Sequence, residues 1–166
     1  KKEHMASQTQ SLYTPEERLR RDRSKWTLVQ GILAPVQFIV FLISLYLVIR
    51  FLNTGEGEFA ANASVVIKTV VLYTIMITGS IWEKEVFGRY LFAPAFYWED
   101  VFSVLVLLLH TLYLFALGFG FLEPRQLMML ALGAYLAYVI NAAQFLWKLR
   151  QARLQESRES SQGVMA

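Results

Sequence analysis

Four apolar runs dominate this chain: Trp26 to Leu52, Ser64 to Trp82, Val101 to Leu122 and Gln126 to Trp147. A helix crossing a bilayer needs about 20 mostly apolar residues, so each run is long enough to span. The apolar fraction of 55% is therefore blocked along the chain rather than spread through a soluble core. The connections are short: "NTGEGEFAAN", "EKEVFGRYLFAPAFYWED" and "GFLEPRQ". Spans joined this closely pack as antiparallel neighbours, which predicts an all-α integral membrane protein, a four-helix up-down bundle spanning 26–52, 64–82, 101–122 and 126–147.

Charge placement orients the bundle. Arg18, Arg20, Arg21, Arg23 and Lys25 precede the first span, Lys84 and Arg89 follow the second, and Lys148, Arg150 and Arg153 follow the fourth. The opposite loops hold Glu56, Glu58 and Glu123 against Arg125 alone. The positive-inside rule then predicts both termini and the second connection in the cytoplasm, with the protein multi-pass.

Residues 1–5, "KKEHM", read as an expression scar and 6–25 as a basic segment, ahead of a membrane domain over 26–150. No signal peptide is expected before the first span. Thr14, Pro15 and Glu17 carry the signature of a capped helix, whose basic side would lie on anionic headgroups. Residues 151–166 read as a polar tail that frays. Asn62 heads an "NAS" triplet that matches a glycosylation acceptor, but helix capping is the better explanation. There is no cysteine, which excludes disulfides and thiolate metal sites. P-loop, dinucleotide, HExxH and GxSxG patterns are missing, and the basic segment is too small to argue for nucleic acid.

Polar residues within the spans fall on single helical faces. These are Gln30, Ala34, Gln37, Phe41 and Ser44; Thr69, Tyr73, Met76, Ser80 and Glu83; Glu99, Ser103, Val106, His110 and Tyr113; and Ala134, Ala137, Asn141 and Gln144. Each set follows the 3.6-residue period, so each is expected to point inward. One reading is that they glue helices together; the other is that they line a polar cavity. His110 sits roughly 15 Å below the start of its span, near the bilayer centre. Its imidazole could satisfy the interior, relay a proton, or ligate a metal already held in a macrocycle.

The second connection carries Glu83, Glu85, Glu99 and Asp100 together with seven rings, Trp82, Phe87, Tyr90, Phe92, Phe96, Tyr97 and Trp98. Glu83 ends one inward stripe and Glu99 begins the next, which puts both at the bundle mouth. A salt-bridge network with Lys84 and Arg89 is one reading. The other is a carboxyl walled in by rings, where lost hydration favours the neutral acid and suits a general acid. An interfacial belt explains some of the rings. So many around "FAPAF" also suit a platform for a flat, lipophilic ligand.

"WTLVQGILAPVQF", "VVLYTIMITGSIWEKEVFGRYLFAPAFYWEDVFS" and "LHTLY" together resemble the 3-vinyl bacteriochlorophyllide hydratase family, small membrane enzymes of bacteriochlorophyll biosynthesis. The resemblance runs from about Tyr13 to Arg153. It implies hydration of the C3 vinyl group of a chlorophyllide to a 1-hydroxyethyl group, with no cofactor, the magnesium belonging to the substrate. With that chemistry, Glu99 or Glu83 is the expected acid, and Asp100 or the other glutamate orients water. His110 is the expected magnesium ligand or relay. Tyr73, Gln37 and Asn141 would hydrogen-bond the substrate, and Trp82, Phe96, Tyr97 and Trp98 would hold its face. Expected partners are the pigment, water and the bilayer, with other pigment-biosynthesis enzymes or a second copy as further candidates. A non-catalytic tetrapyrrole carrier and a structural subunit of a photosynthetic complex are the rival readings.

Overall fold

The computed structural model describes residues 11–165. The segment 1–5, expected to be an expression scar, lies outside them, as do residues 6–10 and 166. Helix α1 (Pro15–Arg23) leads into four long helices: α2 (Lys25–Thr54), α3 (Glu58–Phe87), α4 (Tyr97–Phe119) and α5 (Pro124–Met165). All four long helices are of a length and apolarity that can cross a membrane.

The boundaries follow from local chemistry. Thr14 and Glu17 close the expected capping box at α1, with Pro15 in its first turn. Ser24 then breaks the chain in an extended conformation, and its hydroxyl caps α2 by accepting from the Trp26 amide. At the far ends of α2, α3 and α4, Gly55, Gly88 and Gly120 take the left-handed conformation that terminates a helix without a Cβ clash. Pro35 lies inside α2 without ending it, as transmembrane helices tolerate.

Helix α2 packs on α3, α4 on α5, α2 on α5 and α3 on α4. The polarity is inverted relative to a water-soluble fold. Ile32, Phe38, Ile39, Leu108, Leu112 and Phe115 face outward, while Gln37, Ser44, Lys68, Thr69, Ser103, His110 and Asn141 are buried. That distribution is stable where the surrounding solvent is lipid and every interior polar group finds a partner.

The expected stripe on α4 is buried throughout, from Glu99 through Ser103, Val106 and His110 to Tyr113. On α2 the buried face is Gln37, Phe41, Ser44, Val48 and Phe51, one turn further along than expected, with Ala34 exposed and Gln30 half-buried. Two expectations are corrected. Residues 151–165 do not fray: α5 runs on as helix to Met165, because Glu156 pairs with Arg21 at 2.8 Å and Glu159 with Arg18 at 3.3 Å. Asn62 caps nothing; it sits inside α3 and accepts a hydrogen bond from the Tyr113 hydroxyl.

A second, smaller core forms where α1, the α3–α4 loop and α5 meet. Tyr13, Val86, Phe96 and Ala152 are its buried members. Tyr13 stacks on Phe87 with ring centroids 5.7 Å apart, and Phe96 meets Trp82 at 5.9 Å and Phe145 at 5.6 Å. This packing holds the α3–α4 loop against the end of the bundle.

Candidate active site at the end of the bundle

Glu83 ends the buried face of α3, and Asp100 sits in the first turn of α4. Both are buried. Their carboxyl groups lie side by side, close enough for each to act on the other's ionisation. Burial beside a second carboxyl therefore disfavours full charge on both groups. Their oxygens are fixed by consecutive backbone amides: Ala93 N–H donates to Glu83 Oε1 at 2.7 Å, and Phe92 N–H donates to Asp100 Oδ2 at 2.9 Å.

Aiming two successive amides in this way has a backbone cost. Phe92 adopts φ +61°, the left-handed region that a residue with a Cβ avoids. Strain of this kind persists only where surrounding contacts over-determine it. Here those contacts are the two carboxylate acceptors, the buried Ala93 and the single 3-10 turn Pro94–Phe96 that follows.

Glu99 has a different environment. Its carboxylate takes an ion pair from Lys148 at 2.9 Å, and its backbone oxygen accepts from Asn141 Nδ2 at 2.9 Å and Ser103 Oγ at 2.8 Å. A carboxylate held by an ammonium is a charge carrier, not a stored acid. Glu85 accepts from the Ser24 hydroxyl at 2.7 Å and so ties α3 to the start of α2. Lys84 donates to the Gly88 carbonyl at 3.0 Å rather than to a carboxylate.

His110 is not brought to this cluster. Ten residues along α4 from Asp100, it lies roughly 15 Å away by helical rise. It is fully buried, its Nδ1 bonds the Val106 carbonyl at 2.8 Å, and its Nε2 faces Lys68 Nζ at 3.2 Å. The carbonyl can only accept, so Nδ1 carries the hydrogen and the Nε2 lone pair takes the Lys68 N–H. The lone pair that a magnesium ligand would offer is therefore occupied.

Lys68 was missed by the stripe reading. It is fully buried, and its ammonium sits 3.8 Å from the Tyr138 ring centroid. The signal was available: it is the sole cation within the 64–82 run, and an ionisable residue within a span faces the bundle interior. Around it, Tyr135 and Ser64 both hydrogen-bond Ser44, which extends the polar layer across the bundle.

The remaining expected substrate contacts divide. Tyr73 bonds Thr111 Oγ1 at 2.6 Å, and Asn141 is taken up by Glu99 and Ser103. Gln37 is buried with Oε1 unpartnered among the described residues. Phe96 is buried in the packed second core, and Trp82 is half-buried against it. Trp98 is 71% exposed, and Tyr97 faces outward. Tyr97 does line an open depression of about 560 Å³ together with Arg89, Phe92, Pro94 and Val101. Phe92, which lines this depression, also donates its amide to Asp100.

Four helices long and apolar enough to cross a membrane, with two buried carboxyls side by side at one end, define a small polytopic membrane protein. The 2-vinyl bacteriochlorophyllide hydratase family (BCHF) matches residues 13–151, and the chain belongs to that family. It is 65% identical over 151 residues to the 2-vinyl bacteriochlorophyllide hydratase of Rhodobacter capsulatus, covering 91% of this chain and 88% of that one. To the enzyme of the same name from Cereibacter sphaeroides it is 67% identical over 144 residues, covering 86% and 89%. No solved structure matches the chain. The locants 2 and 3 denote the same vinyl group under two ways of counting the macrocycle.

Proposed function

We infer that this chain is a hydro-lyase that adds water to the vinyl group of a bacteriochlorophyllide or chlorophyllide a, giving a 1-hydroxyethyl group, with the Glu83–Asp100 pair as the proton donor. The observation that carries the residue assignment is the carboxyl-to-carboxyl contact, clamped by the Ala93 and Phe92 amides. The family carries the reaction.

A proton from the pair passes to the terminal vinyl carbon, whose π electrons form the new C–H bond. The positive charge left on the inner carbon is benzylic in character and spreads over the macrocycle. Water oxygen bonds to that carbon, and the proton it sheds returns to the carboxylate pair. Nothing is oxidised or reduced, so the cycle closes without a redox partner or an added cofactor; the magnesium travels with the substrate. General acid–base catalysis by such a group is worth about 10²–10⁴ in rate. Glu99 is ion-paired to Lys148 and joins α4 to α5 beside the pair, leaving the proton transfer to Glu83 and Asp100.

The bundle is up-down with both termini and the catalytic loop on the cytoplasmic side of a bacterial inner or intracytoplasmic membrane. Supporting this are the cation placement and the pairings Ser24–Glu85, Thr27–Trp82, Gln30–Thr78 and Ser44–Ser64, in which numbers rise on α2 as they fall on α3. The pigment then meets the site from the bilayer while water arrives from the cytoplasm.

Purified protein in lipid discs, incubated with chlorophyllide a, should yield a product heavier by one water. Glu83→Gln with Asp100→Asn should remove that product while pigment binding persists. A double variant that hydrates at the wild-type rate sinks the assignment, and wild-type protein that binds pigment without adding water is a carrier instead.

A further inference from the structure

The depression lined by Arg89, Phe92, Pro94, Tyr97 and Val101 has one charged group and four apolar or aromatic ones. Arg89 is exposed and, among the described residues, has neither an ion pair nor a hydrogen bond. Its neighbour in charge, Lys84, is committed to the Gly88 carbonyl and lies 5.4 Å from the Tyr90 ring centroid. The two carboxyls closest in sequence to the depression, Glu99 and Asp100, are committed to Lys148 and to the Phe92 amide. So one guanidinium stands unsatisfied at the edge of an aromatic surface, facing no acid of its own.

That surface adjoins the catalytic pair through two covalent links. Phe92 lines the depression with its side chain and gives its amide to Asp100, while Val101 lines it one residue after Asp100. The rings of Phe92 and Tyr97 stand 5.7 Å apart at a tilt of 53°. A flat macrocycle laid on them would rest against the loop whose Phe92 amide holds Asp100.

We propose that this depression docks the macrocycle and that Arg89 receives its free propionate carboxylate. The proposal rests on the hydratase reading for the substrate class, because an "-ide" pigment is by definition the free acid, with no alcohol esterified to its propionate. It deepens that reading by naming a carboxylate subsite and a criterion of selectivity. Arginine suits the task, since its planar fork meets a carboxylate with two parallel N–H donors. Esterification would remove the charge and one acceptor, so a pigment already carrying its alcohol tail would dock poorly. The class of reaction that consumes the product and attaches such a tail must therefore act after hydration.

The test compares chlorophyllide a with its propionate methyl ester, on wild-type protein, Arg89→Gln and Arg89→Lys in lipid discs. Binding is read from pigment fluorescence and turnover from the mass of added water. Wild type should show a KM and Kd about 10-fold lower for the acid than for the ester, which corresponds to one charge-assisted contact at a half-open site. Arg89→Gln should bring the acid up to the ester's value with kcat little changed, and Arg89→Lys should recover part of the preference. Equal preference in wild type and Arg89→Gln overturns the proposal. So does equal weakening of acid and ester, which marks Arg89 as an anchor to lipid phosphate only. An Arg89-dependent preference in binding without any hydration would leave the subsite standing and remove the hydratase reading. Hydration that depends on Glu83 but ignores esterification would do the reverse.

Discussion

Glu83 at the end of α3 and Asp100 at the start of α4 meet carboxyl to carboxyl, each also held by one of two consecutive amides, Ala93 and Phe92. Only residues 88–96 separate the two helices' ends, and the loop they form brings these groups side by side. Glu99, one position earlier on α4, faces Lys148 instead. Neighbouring acids on one helix thus occupy unlike environments.

That difference separates their mutants. Glu83→Gln and Asp100→Asn each keep the shape and lose a proton donor, so kcat should fall about 10²–10⁴-fold. Glu99→Gln should leave kcat within about tenfold and chiefly weaken the join to α5. Steady-state rates on chlorophyllide a decide it: a larger loss in Glu99→Gln than in Glu83→Gln would reverse the roles.

The pH dependence has a definite sign. The pair donates in the form that holds a proton and is spent in the form that has lost it. The rate should therefore be highest on the acid side and decline as alkali strips that proton. A rate that rises steadily with pH would point to a general base as the limiting group.

Lys68 and His110 should matter for stability rather than for the chemical step. Lys68 lies 15 residues from Glu83 on α3, roughly 22 Å by helical rise. Lys68→Ala leaves a cavity and strips the His110 Nε2 of its donor, so the loss should be about 3 kcal/mol. Lys68→Met keeps the volume and should cost under about 1.5 kcal/mol. Both should retain kcat within a few-fold, measured beside unfolding midpoints in detergent. A hundredfold loss of kcat in Lys68→Met would bring this layer into the mechanism.

The α1–α5 clasp should respond to salt. Arg21 bonds Glu156 at 2.8 Å and Arg18 reaches Glu159 at 3.3 Å, all four side chains being partly solvated. Glu156→Ala should cost no more than about 1 kcal/mol, and the difference from wild type should shrink as ionic strength rises. Amide exchange in α1 should quicken in the same variant. Unchanged exchange would mean that apolar packing through Tyr13 suffices.

Tyr13 supplies an alkaline marker for that clasp. Burial pushes its hydroxyl up to about 12, against the Arg21 guanidinium, which favours the phenolate. The phenol ordinarily ionises near 10. Below that value it is neutral in both folded and unfolded chains and the contribution is whole; it fades as pH climbs from 10 through 12. Thermal midpoints should fall more steeply over that interval in wild type than in Tyr13→Phe. Parallel curves would refute the assignment.

Much of this architecture is legible along the chain because it is local. Helix starts and stops follow from side chains that bond their own backbone, as at Thr14 and Ser24, and from glycines where φ turns positive. The inward stripe on α4 follows from the helical period alone, and His110 was found that way. Lys68 escaped the same reading on α3, where the buried face carries both Lys68 and Thr69 and is broader than one row.

By itself, the sequence determined four membrane-length helices, the capping box of α1 and the position of the acidic, ring-rich loop, since hydropathy, period and capping need only neighbours along the chain. Only the tertiary structure decided which carboxyls lie side by side and which is ion-paired, that Phe96 is packed away while Tyr97 stays open, and that α5 continues as a partner for α1. Those outcomes depend on distances between separate helices, set by a left-handed Phe92 and by ion pairs more than 130 positions apart. No periodicity within one helix carries that information, because side-chain pairing across a bundle is chosen by packing.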